Sequence, residues 1–409
     1  MLPYESLPTL QSGTGFDMFD GIRVLDLSTS IAGPYATQLL ADFGATVLKI
    51  EKSGTGDDAR QWGPPFLNGA ALWFLSVNRN KHSMALDVSK PEGLAILTEL
   101  LETTDVLVVN MTPRVQQKLG IDHATLAARF PRLIHASLTG FGLTTSRREY
   151  PCYDLIAEGY SGIMDLTGEL ENDPQKVGTP AADMLGGQDL AMAVMAALYK
   201  RQRTGKGASI DISMIATMTR FTAPRVSSYL GSAELPRRSG GRDSVIAIYQ
   251  VFDTADEQLT LGLGNDPIWQ RFWEAVGDPE FARKPEYATN ASRRENRVEI
   301  VQRIATILAK RPRDEWLALF ARNRIPAGPL NRVDEVVRDP DLLDTKFFYQ
   351  SDSSYGNIPQ IGLGIAIDGK QDIHRKAPPA LGEDTGTVLR EWLGKSEFEI
   401  GALKKSGII

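Results

Sequence analysis

Ile22-Arg-Val-Leu-Asp-Leu27, Gly33-Pro34, residues 35–44 and Ala45-Thr-Val-Leu-Lys-Ile50 are the stretch that decides the architecture. The first apolar run reads as a buried strand. Gly33-Pro34 marks a turn, and residues 35–43 read as a helix that stops at Gly44, a residue suited to the left-handed end of a helix. Residues 45–50 read as a second strand. Strand, helix and strand in succession make a βαβ unit, and such units build parallel sheets.

The pattern repeats outward from this unit. Residues 83–87 are strand-like. Ser89-Lys-Pro-Glu-Gly93 opens a helix that runs to Leu101, with Ser89 as the expected N-cap and Pro91 in the first turn. Strands follow at 105–110 and 133–138, then a helix at 184–201 and a strand at 208–214. Residues 1–20 read as a loose leader. The character changes near residue 225. Pro236 to Arg242 reads as a loop, and 247–252 with 258–263 as an antiparallel hairpin around Asp253-Thr-Ala-Asp256. Helices carrying Trp269, Trp273 and Trp316 come next. The expected division is a large domain over 1–224, a smaller α+β domain over 225–324 and a C-terminal segment over 325–409.

A chain of 409 residues is long enough for two or three domains. Its 42% hydrophobic content supplies a core, and 23% charged residues are ordinary for a soluble protein. A net charge of −6 argues against non-specific binding to nucleic acid or membrane, while leaving room for a local basic pocket. Cys152 is the one cysteine, so there is no intrachain disulfide and no zinc cluster of thiolates, as suits a reducing cytoplasm. The N-terminus lacks the basic and apolar blocks of a secretory signal. The apolar run from Leu190 to Tyr199 is too short to span a bilayer.

Several motifs fail on inspection. The turn Ser28-Thr-Ser-Ile-Ala-Gly-Pro34 lacks the G-x-G-x-x-G that lets a backbone approach a pyrophosphate, so Glu51 alone does not make a dinucleotide site. Thr204-Gly-Lys-Gly207 has neither the spacing nor the strand-to-helix order of a P-loop, and reads as a tight turn. His82, His123, His135 and His374 show no metal-ligand spacing and read as structural or surface residues. Cys152 reads as a packed thiol. No G-x-S-x-G elbow is present.

Other features point to a ligand site. Ligands of open α/β sheets bind beyond the carboxyl ends of the strands, where the loop after residue 27 lies. Lys52, Arg79, Lys81, Arg114 and Lys118 fall at or near strand ends and could gather on one rim to hold phosphates, or could be scattered solvated charges. Asn110 ends a buried strand and is a candidate for hydrogen bonding to a ligand. Asp183, in Gly178-Thr-Pro-Ala-Ala-Asp183-Met-Leu-Gly-Gly187, lies where small residues turn into an apolar helix. By physics alone it reads first as that helix's N-cap. The same placement would hold a carboxylate ionised, through the helix dipole and free N–H groups, ready to attack a carbonyl without a general base. Gly186 and Gly187 would let a bulky thioester approach the backbone.

Taken together and in order, these motifs resemble the class III CoA-transferase family, also called the CaiB/BaiF family. The likeness rests on residues 21–27, Ala32-Gly-Pro34, 39–45, 47–51, Asn78-Arg-Asn-Lys81, 83–87 and Tyr153-Asp154. It continues through Ser161-Gly162, Thr167-Gly168, Asp183 with its glycines, Arg203 to Gly207, Ile325 to Pro329 and Pro379 to Thr385. It spans residues 21 to about 395. The resemblance implies an α/β fold with a Rossmann-like parallel sheet in the large domain, a small domain inserted late, and a C-terminal segment returning to the large one. It also implies a homodimer of two interlocked rings.

The implied activity is transfer of CoA from an acyl-CoA to a carboxylic acid, with Asp183 as nucleophile and with anhydride and aspartyl-CoA thioester intermediates. CoA is a substrate. No permanently bound cofactor, metal, nucleic acid or membrane is expected. The implied CoA site comprises Thr29, Ser30, Ile31, Ala32, Lys52, Leu86, Asn110, Met111, Lys118, Tyr153 and Met214. Trp62, Gly186, Gly187, Gly240 and Gly241 fall to the substrate pocket. Family members that act on formyl-CoA and oxalate carry Gln at the position of Ile31 and a longer glycine run where Gly240-Gly241 stands. A larger acid is therefore expected, a dicarboxylate or a branched acid, with Arg242 either binding a second carboxylate or lying on the surface. Two other readings share the fold. A racemase would need a histidine at the position of Tyr153, whose phenol, with a reference pKa of about 10, suits neutral proton transfer poorly. An idle CoA-binding subunit would have no use for Asp183.

Overall fold

The structure is a computed structural model that describes residues 2–13, 15–371 and 375–409. His374 lies outside these described residues. The chain divides into two compact units: residues 1–163, 176–231 and 340–409 in the first, and residues 164–175 and 232–339 in the second.

In the first unit, β1 (Arg23–Asp26), β2 (Thr46–Glu51), β3 (Lys81–Ala85), β4 (Val106–Val109), β5 (Ile134–Thr139) and β6 (Ala208–Ser213) form one sheet. All its pairings are parallel, in the order β3-β2-β1-β4-β5-β6. This is the Rossmann order, with its reversal between β1 and β4. Strand alternation sends side chains to two cores. Val24, Val47, Val106 and Val108 face α1 (Ala32–Asp42) and the later helices of that side. Leu25, Leu48, Leu107 and Val109 face α2 (Pro91–Leu101).

Three helices complete the frame of the site: α3 (Asp154–Ser161), α4 (Ala181–Thr204) and α5 (Met214–Phe221). Both α1 and α4 start three residues earlier than periodicity predicts. Neither start has a side-chain N-cap of its own, so the usual signal is missing. Pro34 falls inside the first turn of α1, where its missing N–H costs no bond. The cap of α2 is Lys90, not Ser89, whose hydroxyl turns back to Asp87 Oδ1 at 2.6 Å. Gly205, with φ 69°, ends α4 as the expected tight turn. The leader is less loose than expected, because Thr9–Leu10 adds a parallel strand to the hairpin strand Phe348–Ser353.

The second unit has its own sheet, β7 (Tyr249–Asp253), β8 (Gln258–Gly262) and β9 (Ala327–Pro329), all antiparallel. Its core is aromatic. Trp269, Phe272, Trp273, Tyr287, Trp316 and Phe320 are buried together, and Trp269 meets Trp273 edge-on at 5.4 Å. The unit extends past residue 324 because β9 pairs with β8. Segment 164–175 also belongs to it, through the Gly240 N–H that donates to Gly168 O at 2.9 Å and the Arg238–Asp165 ion pair at 2.9 Å.

Candidate active site

The parallel sheet gathers the expected CoA residues at its carboxyl edge. Thr29 to Ala32 follow β1, Lys52 follows β2, Leu86 follows β3, Asn110 and Met111 follow β4, and Met214 follows β6. Thr29 and Asn110 meet across the topological switch. The Thr29 N–H donates to Asn110 Oδ1 at 3.2 Å, and Asn110 Nδ2 donates to Thr29 O at 2.9 Å. Asn110 thereby clamps the first loop with its own amide.

The remaining residues divide by exposure. Thr29, Lys52, Lys118 and Tyr153 are exposed, and Ser30 and Met111 are half-buried. Ile31, Ala32, Leu86 and Met214 are buried, and the side chains of Leu86 and Met214 belong to the two cores of the first unit. The basic rim is smaller than its sequence suggests. Lys52, Arg114 and Lys118 are exposed, whereas Arg79 and Lys81 are buried. Arg79 pairs with Asp42 at 2.6 Å and Lys81 with Asp26 at 3.1 Å, so neither is a solvated cation.

Asp183 is the third residue of α4, not its cap. The capping carboxylate comes from α3. Asp154 Oδ1 accepts from Ala182 N at 2.7 Å and from Asp183 N at 3.3 Å. Among the described residues, no donor reaches the Asp183 carboxylate. Its surroundings therefore do the opposite of what a helix N-terminus predicts. Loss of solvent, and then the charge of Asp154, push the Asp183 carboxyl up to about 7. Glu158, one turn along α3 and fully buried, accepts from Val177 N at 2.9 Å. Burial and its contact with Asp154 raise its carboxyl too. Cys152 nearby is pushed up to about 11, chiefly by burial and then by Asp183 and Asp154, so it stays a thiol.

The two glycines of α4 serve packing and not an open pocket. A Cβ on Gly187 would lie 2.6 Å from Ala32 O, so the bare backbone lets α4 lie against the start of α1. A Cβ on Gly186 would touch Leu138 and Met214. This contact seats Asp183's helix beside the 29–32 loop. A cavity of about 550 Å³ opens next to the start of α4, walled by Tyr35, Gln38, Trp73, Thr179, Pro180 and Met184. Trp62 stands edge-on to Trp73 at 6.2 Å and so backs that wall.

The N–H groups of Ala32 and Gly33, in the first turn of α1, have no acceptor among the described residues, as the leading donors of a helix do not. In α4, by contrast, the first donors are taken by Asp154 and Thr179, so its glycines supply no free N–H there.

Gly240 and Gly241 lie in the second unit. Gly240 has φ 58°, and a Cβ there would fall 1.8 Å from Glu169 Oε1, so the turn is seated on segment 164–175. Arg242 is exposed and lies 3.5 Å from Glu169. The histidines are structural where described: His135 is buried against Ile121 O at 2.9 Å, and His82 lies 3.0 Å from Asp384. No group of His, Cys, Asp and Glu among the described residues could hold a metal ion. No described helix is long and apolar enough to cross a membrane. Sequence reasoning missed the parts played by Asp154 and Glu158. Their four-residue spacing puts both on one helix face, but only the fold brings that face to Asp183.

The model of CoA-transferase family III matches residues 19–385. The succinyl-CoA:glutarate CoA-transferase of Mus musculus is 35% identical over 95% of this chain and 90% of its own. The acetyl-CoA:oxalate CoA-transferase of Acetobacter aceti is 34% identical over 91% of this chain and 95% of its own. A crystal structure of a CAIB/BAIF family protein from Brucella suis superposes with a TM-score of 0.79 at 34% identity, covering 92% of this chain and all of that one.

Proposed function

The chain belongs to CoA-transferase family III and is a CoA-transferase, and we propose that it exchanges CoA between dicarboxylic acids through covalent intermediates on Asp183. The single observation that carries this reading is the half-buried Asp183 carboxyl, without a hydrogen-bond donor among the described residues, at the start of a helix packed against the loop that follows β1.

The chemistry balances without an outside proton. The Asp183 carboxylate attacks the thioester carbonyl of the donor, forming an anhydride and releasing CoA thiolate. The thiolate attacks the aspartyl carbonyl, which gives an aspartyl-CoA thioester and frees the donor acid. The acceptor carboxylate attacks that thioester and re-forms an anhydride and thiolate. The thiolate then takes the acceptor's acyl group and restores Asp183. Each step is an acyl exchange between activated carbonyls of similar energy. Burial makes the Asp183 carboxylate more basic than an ordinary one, and so a better nucleophile once ionised. The Ala32 and Gly33 N–H groups, unpaired among the described residues, fit the task of receiving a pantetheine carbonyl of CoA. Lys52, exposed just after β2, and Lys118, exposed in the helix of residues 113–119, fit that of meeting CoA phosphates.

A dicarboxylate substrate is supported by the names of the relatives, which pair acyl-CoA donors with glutarate or oxalate. Ile31, buried at the loop, favours the longer acid.

A homodimer, interlocked as in the family, is part of the same reading. Exposed apolar side chains support it: Tyr153, Tyr160, Met192, Tyr199, Phe221 and Leu230, the last 77% exposed. One packed thiol and no other cysteine suit a cytoplasmic setting.

The test is a panel of acyl-CoA donors and acids, followed by exchange, with Asp183→Ala and Asp183→Asn alongside. Transfer between succinyl-CoA and glutarate is expected, with oxalate slower, and neither variant is expected to transfer while both still bind CoA. Wild-type turnover by either variant would remove Asp183 from the mechanism. Exchange of an α-proton in deuterated water without transfer would replace the reaction itself.

A further inference from the structure

We propose that the buried Lys49–Asp57 ion pair is a positioning device for the loop of residues 28–34, and that it sets affinity for acyl-CoA without setting the rate of acyl exchange. This rests on the reading above, in which residues 29–32 of that loop contact CoA.

The loop leaves β1 and enters α1 through Ser30, which holds φ at 71°. The left-handed region disfavours a residue with a Cβ, so the conformation must be imposed by its surroundings. The restraints come from beneath. Lys49 Nζ donates to Ser28 O at 2.7 Å and lies 2.8 Å from Asp57 Oδ2. Asp57 Oδ1 accepts from Ser30 N at 2.9 Å and from Ala59 N at 2.9 Å. The adjoining pair holds the two ends of the loop. Asp26 accepts from Ser28 N at 3.0 Å, and Lys81 donates to Pro34 O at 2.7 Å while lying 3.1 Å from Asp26. Four charges, each essentially without solvent, thus grip successive backbone groups of one loop.

Stability does not account for this arrangement. Desolvating two ion pairs costs as much as their attraction returns, and apolar side chains of the same volume would pack as well. What apolar side chains could not do is hold Ser28 O, Ser30 N and Pro34 O at fixed points. Apart from the Asn110 clamp on the Thr29 backbone, the outer side of the same loop is open to solvent, with Thr29 exposed and Ser30 half-buried. A loop ordered in advance spares the ligand the entropy of ordering it. That gain is the same in the ground state and in the transition state, so it falls on KM and leaves kcat.

The test compares two double variants of the full chain with wild type, using free CoA in calorimetry and acyl-CoA in kinetics. Lys49→Met with Asp57→Leu removes both charges and both anchors, leaving no unpaired buried ion. Its Kd for CoA and its KM for acyl-CoA are expected to rise about ten-fold or more, with kcat within about three-fold and the acceptor's KM unchanged. Lys49→Met with Asp57→Asn removes the charges but keeps an oxygen for Ser30 N, and is expected to recover most of the affinity.

A folded Met/Leu variant with wild-type Kd, or one with lowered kcat and unchanged KM, overturns the inference. Amide hydrogen exchange of the wild-type protein tests it independently of whether the variants fold. The Ser30 N–H must be protected without any ligand, and free-chain exchange there overturns the inference. If wild type transfers acyl groups but the Met/Leu variant binds CoA equally well, this inference fails alone. If wild type binds no CoA, the functional reading fails with it.

Discussion

Asp183 and Asp154 form a pair with divided duties. Asp154 satisfies the first helix donors, and no donor among the described residues reaches the Asp183 carboxylate. The cost is electrostatic, since burial and the Asp154 charge raise the Asp183 carboxyl to about 7. In the proposed reaction Asp183 attacks as the carboxylate, so kcat/KM for acyl-CoA is expected to fall as pH drops below about 7. Asp154→Asn keeps an oxygen for the two N–H groups and removes the charge, so its acid limb should move to lower pH, as a pH–rate profile would show. A limb that does not move would mean Asp154 acts by capping alone. Stability responds in the opposite sense. The folded chain holds the Asp183 proton more tightly than the unfolded chain, so ionising this group costs stability that grows from about pH 4 to about pH 7. Asp183→Asn should therefore raise Tm by roughly 1–3 °C at pH 8, measured by calorimetry, with no such gain at pH 4. The position of Asp183 was legible in its motif. Its ionisation was not, because the burial of the carboxyl is a property of the packed unit and Asp154 lies on another helix.

At the scale of elements, the site depends on how closely α4 approaches α1. Gly187 permits that approach, and Gly187→Val is expected to cost about 1–3 kcal/mol through its clash with Ala32 O. A lowered Tm together with weaker CoA binding would check this, and a variant of wild-type stability would show that the helices can separate without loss. The strands were readable where they are apolar throughout, as β4 is and as a sheet covered on both faces favours. The helix starts were less so. Pro180 and Ile31 offer no capping side chain, and the donors of α4 are satisfied from 28 and 29 residues away in sequence. The roles of Lys49 and Lys81 were hidden for a related reason. A lysine in a strand looks the same in sequence whether it faces water or a buried aspartate.

For the whole molecule, the parallel order of the large sheet brings to one edge residues spread from Thr29 to Met214, and this much followed from repeated βαβ signals. The second unit was legible as a tryptophan-rich α+β region. The attachment of segment 164–175 to it was not, because that link is made by a backbone bond from Gly240 and an ion pair from Arg238. The exposed apolar side chains predict assembly. Sedimentation should give twice the chain mass of 44.9 kDa, and Leu230→Glu or Phe221→Glu should shift the protein toward monomer without unfolding either unit. A monomeric wild type with full transfer activity would contradict the dimeric reading.

The most direct measurement is trapping. The protein is incubated with an acyl-CoA donor, quenched with hydroxylamine and digested, and its peptides are sequenced by mass spectrometry. An aspartyl anhydride or thioester on Asp183 should be recovered as a hydroxamate at that residue, dependent on the donor and missing from Asp183→Asn. Brisk transfer with an unmodified Asp183, or a hydroxamate at any other carboxylate, would contradict the account.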